Sequence, residues 1–250
     1  MTDGKQASAH DRMVSDYYRT TSAAGSIDSK EGFAESLKGL ERRLGRWLDV
    51  AGKVVVDLGS GTGQLCALAR QSDAKSVVGV NLSEEENEYA GRYVDADFVA
   101  IDIGSYLESL APGSVDRIFA LNILEHLDKD KLLRVLEAVY RSLRPGGTLV
   151  AMVPNATSPF GGMTRYWDIT HHNAFTPSSI RQLTRMAGFG QVAEFRECGP
   201  VPHGFVSVAR YVLWQALRML IKGYLKIETA SGKGGIYTAD MLFMLTKGRE

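Results

Sequence analysis

Apolar residues recur in two alternating rhythms along this chain. Short apolar runs of four to seven residues alternate with longer stretches in which apolar positions return every three or four residues. The first rhythm marks buried strands and the second amphipathic helices. The pattern predicts strands over 53–58, 76–81, 97–101, 115–121 and 148–153, with helices over 63–71, 83–92, 104–110 and 128–143 between them. Ahead of these, Phe33, Leu37, Leu40, Leu44 and Trp47 fall on one face of a helix that opens near Asp28, with Asp28 and Glu31 at capping-box spacing. The rhythm breaks at Pro154. Residues 154–176, rich in Gly, Pro, Asn, Thr and aromatics, read as a long loop, and such loops are usually binding segments. Helix 177–187 and strand 191–197 resume the pattern, and a second interruption over 199–235 precedes a last strand at 236–246.

Strand–helix alternation at this pace requires crossover connections, and hence a mostly parallel sheet covered by helices on both faces. Hydrophobic content of 44% over 250 residues suffices for one substantial α/β core, so a single domain over 1–250 is expected. It would carry an N-terminal lid or helix over 1–50, including the Tyr17-Tyr18-Arg19 cluster, and two insertions at 154–176 and 199–235. Lys plus Arg equal Asp plus Glu at 29 each, which gives no overall basic surface and argues against nucleic acid as a partner. Two cysteines make no disulfide framework, the first ten residues are polar, and no apolar run is long enough to span a bilayer. A cytoplasmic protein is expected.

The most specific signal is Lys53-Val-Val-Val-Asp-Leu-Gly-Ser-Gly-Thr-Gly-Gln-Leu65. A buried strand runs into Gly59, Gly61 and Gly63, where bare backbone can take left-handed turns and lie against a ligand, with Asp57 two residues ahead. The spacing is neither that of a Walker loop nor the dinucleotide Gly-x-Gly-x-x-Gly. It resembles the first motif of the class I S-adenosylmethionine (SAM)-dependent methyltransferases. Four further segments follow in the family's order: Val77-Val-Gly-Val-Asn-Leu-Ser83, Phe98-Val-Ala-Ile-Asp-Ile103, Ser114 to Leu127 with its Leu-Glu-His-Leu ending, and Leu143-Arg-Pro-Gly-Gly-Thr-Leu149.

The resemblance implies a Rossmann-like, seven-stranded sheet and SAM as cofactor, released as S-adenosylhomocysteine (SAH). It implies cofactor contacts from Asp57, Gly59, Gly61, Gly63, Asn81, Leu82, Asp102, Ile103 and Asn122. Asn81 departs from the family's Asp or Glu, which grips the ribose hydroxyls; an amide keeps one acceptor but loses the charge. Asp102 is read as the partner of the adenine amino group, with a helix cap as its alternative.

Within 154–176, the run Asp168-Ile-Thr-His-His-Asn-Ala-Phe-Thr-Pro177 resembles a segment of methyltransferases linked to glycan and natural-product modification. On that pattern His171 is the general base, Asp168 orients it or holds substrate, and His172 is extra. Arg165, Tyr166 and Trp167 are read as an acceptor platform. Glu125 and His126, with a distant histidine, are also similar to a metal-dependent set; Asn122 stands where that set has its first Glu, so metal-free chemistry is the expectation. The implied activity is O-methylation of a sugar or glycan-related acceptor, lipid- or nucleotide-linked, as in polysaccharide biosynthesis. A small aromatic or quinone acceptor, or a SAM-binding scaffold without catalysis, are the alternatives. Apolar residues at helical spacing over 205–227 leave membrane contact, core packing and a homodimer interface open.

Overall fold

In a computed structural model, the structure describes residues 30–190, 194–230 and 235–249. Asp28 and the Tyr17-Tyr18-Arg19 cluster lie outside the described residues. Helix α1 (Lys30–Leu44) continues into a 3-10 turn (Gly45–Leu48). Then come β1 (Val54–Leu58), α2 (Gln64–Gln71), β2 (Ser76–Asn81), α3 (Glu84–Gly91), β3 (Asp97–Ala100), α4 (Ile103–Ser109), β4 (Val115–Leu121), α5 (Lys129–Ser142) and β5 (Leu143–Pro154). The chain continues through α6 (Gly161–Tyr166), α7 (Pro177–Met186), β6 (Glu194–Glu197), α8 (Phe205–Thr229) and β7 (Asp240–Thr246).

The strands form one sheet in the order β3-β2-β1-β4-β5-β7-β6. β1 to β5 pair in parallel, while β7 runs antiparallel to both β5 and β6. The order reverses between β1 and β4, the switch point at which open α/β sheets bind ligands beyond the carboxyl ends of their strands.

Both faces of the central strands are buried, which is why they read as largely apolar runs, while the edge strands β3 and β6 are partly exposed. Successive side chains of a strand serve opposite layers. Val55 packs with Phe33, Leu37, Leu44 and Trp47 of the first helix, and Phe119 and Val150 join that layer. Val56 and Leu58, with Ile118 and Ala120, face Leu107, Leu132, Leu136 and Val139 across the sheet. Of the face predicted for Phe33, Leu37, Leu40, Leu44 and Trp47, all but the half-buried Leu40 are buried, with Trp47 in the 3-10 turn that follows α1.

Three departures from the expected elements have local causes. β5 starts at Leu143 instead of 148, because Arg144-Pro-Gly-Gly147 stays in the sheet as an irregularity against Val115–Arg117. Gly147 makes this possible, since a Cβ there would stand 2.9 Å from the Arg144 carbonyl oxygen. The expected loop 154–176 contains the short helix α6. The interruption at 199–235 is mostly one helix, α8, of 25 residues, and the last strand begins at Asp240 instead of 236.

Candidate active site

The glycine loop opens directly off β1. Gly59, Gly61 and Gly63 all have positive φ, at 72°, 49° and 84°, a region closed to most side chains. A Cβ on Gly59 would lie 2.9 Å from Ile123, and one on Gly63 would lie 2.9 Å from Ala90. Gly61 faces open space instead, and the buried Ser60 hydroxyl beside it has no hydrogen-bond partner. The loop is fastened to β2 by Gly59 N and Ser60 N, which both donate to the Val80 carbonyl at 2.8 and 3.1 Å. A bare, pinned backbone with one unsatisfied hydroxyl fits an adenosyl amino acid lying across it. Gly59→Ala should lower stability by about 1–3 kcal/mol and abolish micromolar SAH binding, as measured by thermal unfolding and calorimetry.

Asp57 sits beneath the loop, fully enclosed, with the Cys66 thiol 3.7 Å from its carboxylate. Burial pushes its pKa up to about 7, and the thiol contact pulls weakly the other way. The native state therefore holds this proton more tightly than the unfolded chain. The resulting stability is complete below about pH 4 and is lost as pH rises through about 7. The unfolding temperature of the ligand-free protein should fall between pH 5 and 8, and Asp57→Asn should flatten that slope. An equal slope in the variant would assign the effect elsewhere.

At the end of β2, Asn81 donates its amide to the carboxylate of Glu86 and accepts from Leu82 N at 2.9 Å. Glu86 lies in the first turn of α3, where Ser83 caps the helix by accepting from Glu86 N at 3.2 Å. In sequence, Ser83 and Glu86 look like an ordinary capping box, and that disguise hid Glu86. The fold returns a carboxylate to the place where the strand end supplies an amide. Burial raises the Glu86 pKa, and the Asn81 amide opposes this. Leu82 is half exposed at the lip.

Asp102 accepts from Gly104 N and Ser105 N at 3.0 and 3.2 Å and pairs with Lys131 at 2.5 Å. Its cap alternative thus describes what one carboxylate oxygen does, while Lys131 engages the other. Ile103 is buried in the core behind it. Asn122 ends β4 with φ of 55°, a left-handed conformation that asparagine tolerates better than most residues, and its N–H is fixed to the Met152 carbonyl at 2.9 Å. Such a held conformation beside a ligand crevice is a common active-site feature.

The segment after α6 folds back onto the Leu124–His126 turn. His172 N and Asn173 N both donate to the Glu125 carbonyl at 2.8 and 3.1 Å, and the Asn173 amide donates to Leu127 O at 2.7 Å. This stitching brings His171 against His126, ring centroids 4.8 Å apart and edge to face. His171 is buried, with 7% of its surface exposed, and its Nδ1 lies 3.0 Å from the Thr164 carbonyl. A carbonyl only accepts, so Nδ1 carries the hydrogen and Nε2 keeps its lone pair.

Asp168 accepts from Thr170 N and from the Thr170 hydroxyl at 2.8 and 2.7 Å, and that hydroxyl meets His126 Nδ1 at 2.7 Å. The carboxylate expected to orient His171 is thus placed to orient His126 through Thr170, and Thr164 holds His171. The His172 side chain is exposed. Glu125 is only 1% exposed, and one of its oxygens has no hydrogen-bond partner. Burial drives its pKa up to about 8, with Asp240 and Asp168 adding repulsion. Ligand atoms of Glu125, His126 and His171 lie within 4.8 Å of one another, a set able to hold a metal ion.

A cavity of about 590 Å³ lies between α1, the α6 segment and the root of α8. Its lining includes Arg42, Arg43 and Arg210 together with Phe160, Met163 and Trp214. Asp240, next in sequence to the lining residue Ala239, has its pKa raised by burial and drawn back by Arg43 and His171. Arg165 stacks over Tyr166 at 4.9 Å, and Tyr166 and Trp167 project into solvent, so the expected platform lies outside this cavity. The arginines on α1 and α8 had no sequence signal, since they come from elements far apart in the chain and form no motif.

A family model described as a methyltransferase domain matches residues 31–194. Methyltransferase GfsG of Streptomyces halstedii is 33% identical over 128 residues, 48% of this chain and 45% of that protein, so the chain spans less than half of that relative's length. Among solved structures, a SAM-dependent methyltransferase from Archaeoglobus fulgidus matches 87% of this chain and 97% of its own, with a TM-score of 0.64 and 21% identity. Magnesium protoporphyrin IX methyltransferase from Synechocystis PCC 6803, solved with SAM bound, matches 97% of this chain and 99% of its own at a TM-score of 0.58 and 14% identity.

Proposed function

The chain belongs to the methyltransferase-domain family and is a SAM-dependent methyltransferase; from that premise we propose that it methylates a hydroxyl of a sugar or glycan-related acceptor, lipid- or nucleotide-linked. The observation that carries this reading is the buried His171, fixed through Nδ1 to Thr164 with Nε2 left as a base. A sugar hydroxyl is a poor nucleophile until its proton is removed, so a hydroxyl acceptor calls for such a base. When bound, SAM supplies a methyl group activated by its sulfonium.

The residues of the chain then divide the work. The Gly59–Gly63 backbone and Asn122 would hold the cofactor, and Asn81 and Glu86 would bind its ribose hydroxyls. His171 Nε2 accepts the hydroxyl proton, while Glu125 and Asp168 set the polarity around it and Thr170 positions His126. The neighbouring cavity, with three arginines among aromatic walls, suits a sugar joined to a phosphate. SAH release across a panel of nucleotide- and lipid-linked sugars tests the assignment. At least one should raise release well above the acceptor-free background; turnover confined to phenols or quinones would overturn it.

A second reading follows from the Glu125–His126–His171 cluster. Two imidazoles and a carboxylate could hold a divalent cation that polarises the acceptor hydroxyl in place of a base. Chelator separates the two. The base mechanism predicts unchanged turnover, whereas loss of turnover restored by added zinc or magnesium would favour the cation.

A further inference from the structure

Helix α8 is fastened along one side only. Glu197, the last residue of β6, accepts from Trp214 Nε1 at 3.3 Å and pairs with Arg218 at 3.0 Å, while its other oxygen accepts from Tyr237 N at 3.0 Å. Gly199 lets the indole approach, since a Cβ there would stand 3.1 Å from Trp214 Nε1. Ser207 is buried on this side, and Ile221 and Leu225 are half-buried. Residues advance about 100° each around a helix, so these positions fall on one narrow stripe.

The opposite side is apolar and bare. Phe205, Val212, Leu213, Met219, Leu220 and Ile227 are all exposed, Phe205 by 97% and Ile227 by 88%. At the same angular step, no charged residue falls within an arc of about 160° centred on this side. Continuous apolar surface of this extent on a water-soluble fold marks a contact site. Lys222 and Lys226 run along one edge, and Arg210 shares the other edge with Glu228. Glu228 is the single acid of the helix, against Arg210, Arg218, Lys222 and Lys226. The whole chain has balanced charge, so this excess is local.

We infer that α8 lies flat on an anionic lipid surface, its apolar side in the interface and its lysines at the headgroups. An apolar side bordered by two lysines, on a helix with four cations against one acid, complements anionic lipid. No helix among the described residues is long and apolar enough to cross a membrane, which agrees with lying on it. Arg210 and Trp214 of α8 also line the acceptor cavity, so the cavity mouth sits beside the lipid-facing helix. This deepens the proposed function, because it selects lipid-linked sugar over nucleotide-linked sugar as the acceptor source.

Cosedimentation of the full-length protein with vesicles tests the inference without acceptor or turnover, so its failure is distinct from failure of the acceptor assignment. The protein should pellet with phosphatidylcholine–phosphatidylglycerol vesicles about tenfold more than with phosphatidylcholine alone. Combined Leu213→Glu, Leu217→Glu and Leu220→Glu should abolish pelleting while SAH affinity and unfolding temperature are kept. Combined Lys222→Glu and Lys226→Glu should remove the preference for anionic vesicles. The inference is overturned if the unaltered protein stays in the supernatant with both vesicle types, or if the triple variant pellets normally. It is equally overturned if sedimentation velocity shows a dimer that the triple variant dissolves.

Discussion

Replacing His171 with alanine should lower kcat by about a hundredfold to ten-thousandfold while leaving SAH affinity within about twofold. The size follows from what the side chain does. His171 is not among the groups lining the glycine loop; it is the buried imidazole whose Nε2 is kept available by the Thr164 carbonyl. Removing it takes away proton acceptance at the acceptor hydroxyl and leaves the cofactor cradle intact. Asp168→Asn should cost less, because that carboxylate reaches His126 through the Thr170 hydroxyl. The distinction can be read by chemical rescue: added imidazole should restore turnover to His171→Ala and leave Asp168→Asn unchanged. Unchanged turnover in His171→Ala would refute the assignment.

The second large effect concerns the ribose. Glu86→Ala should weaken SAH binding by about tenfold to a hundredfold, the range expected when one hydrogen bond to a charged group is lost. Glu86→Gln should fall between, because the amide can still bond but carries no charge. Asn81→Asp alone should also weaken binding, since two carboxylates would then face each other at the distance where amide and carboxylate now bond. The double variant Asn81→Asp, Glu86→Gln exchanges the two roles and should recover most of the affinity. Calorimetric titration across this cycle measures the coupling directly. Unchanged SAH affinity in Glu86→Ala would show that Glu86 plays no part in ribose binding, and additive losses would show that Asn81 and Glu86 act independently.

Glu86 also shows what the sequence did and did not disclose. The central strands were legible because both of their faces are buried: runs such as Val54-Val55-Val56 and Ile118 to Leu121 have no polar alternation to confuse them. The glycine loop was legible because positive φ restricts residue choice at Gly59, Gly61 and Gly63. Glu86 was hidden because Glu three residues after Ser83 already has a local meaning in helix capping. The pairing of His171 with His126 depended on hydrogen bonds between the 171–173 backbone and the Glu125 carbonyl, which no spacing encodes. The arginine-lined cavity was hidden for the same reason, its arginines arriving from α1 and α8. In α8, apolar spacing was visible, but which side faces the protein is decided by one distant carboxylate, Glu197.

The proposed reaction is methyl transfer from SAM to a hydroxyl beside His171. SAM labelled with carbon-13 in its methyl group lets the label be followed into product by NMR. A new methyl resonance bonded to oxygen of a sugar ring should appear in step with SAH and be absent in His171→Ala. A label found on nitrogen or on an aromatic hydroxyl, or SAM bound by folded protein with no labelled product from any sugar acceptor, would contradict it.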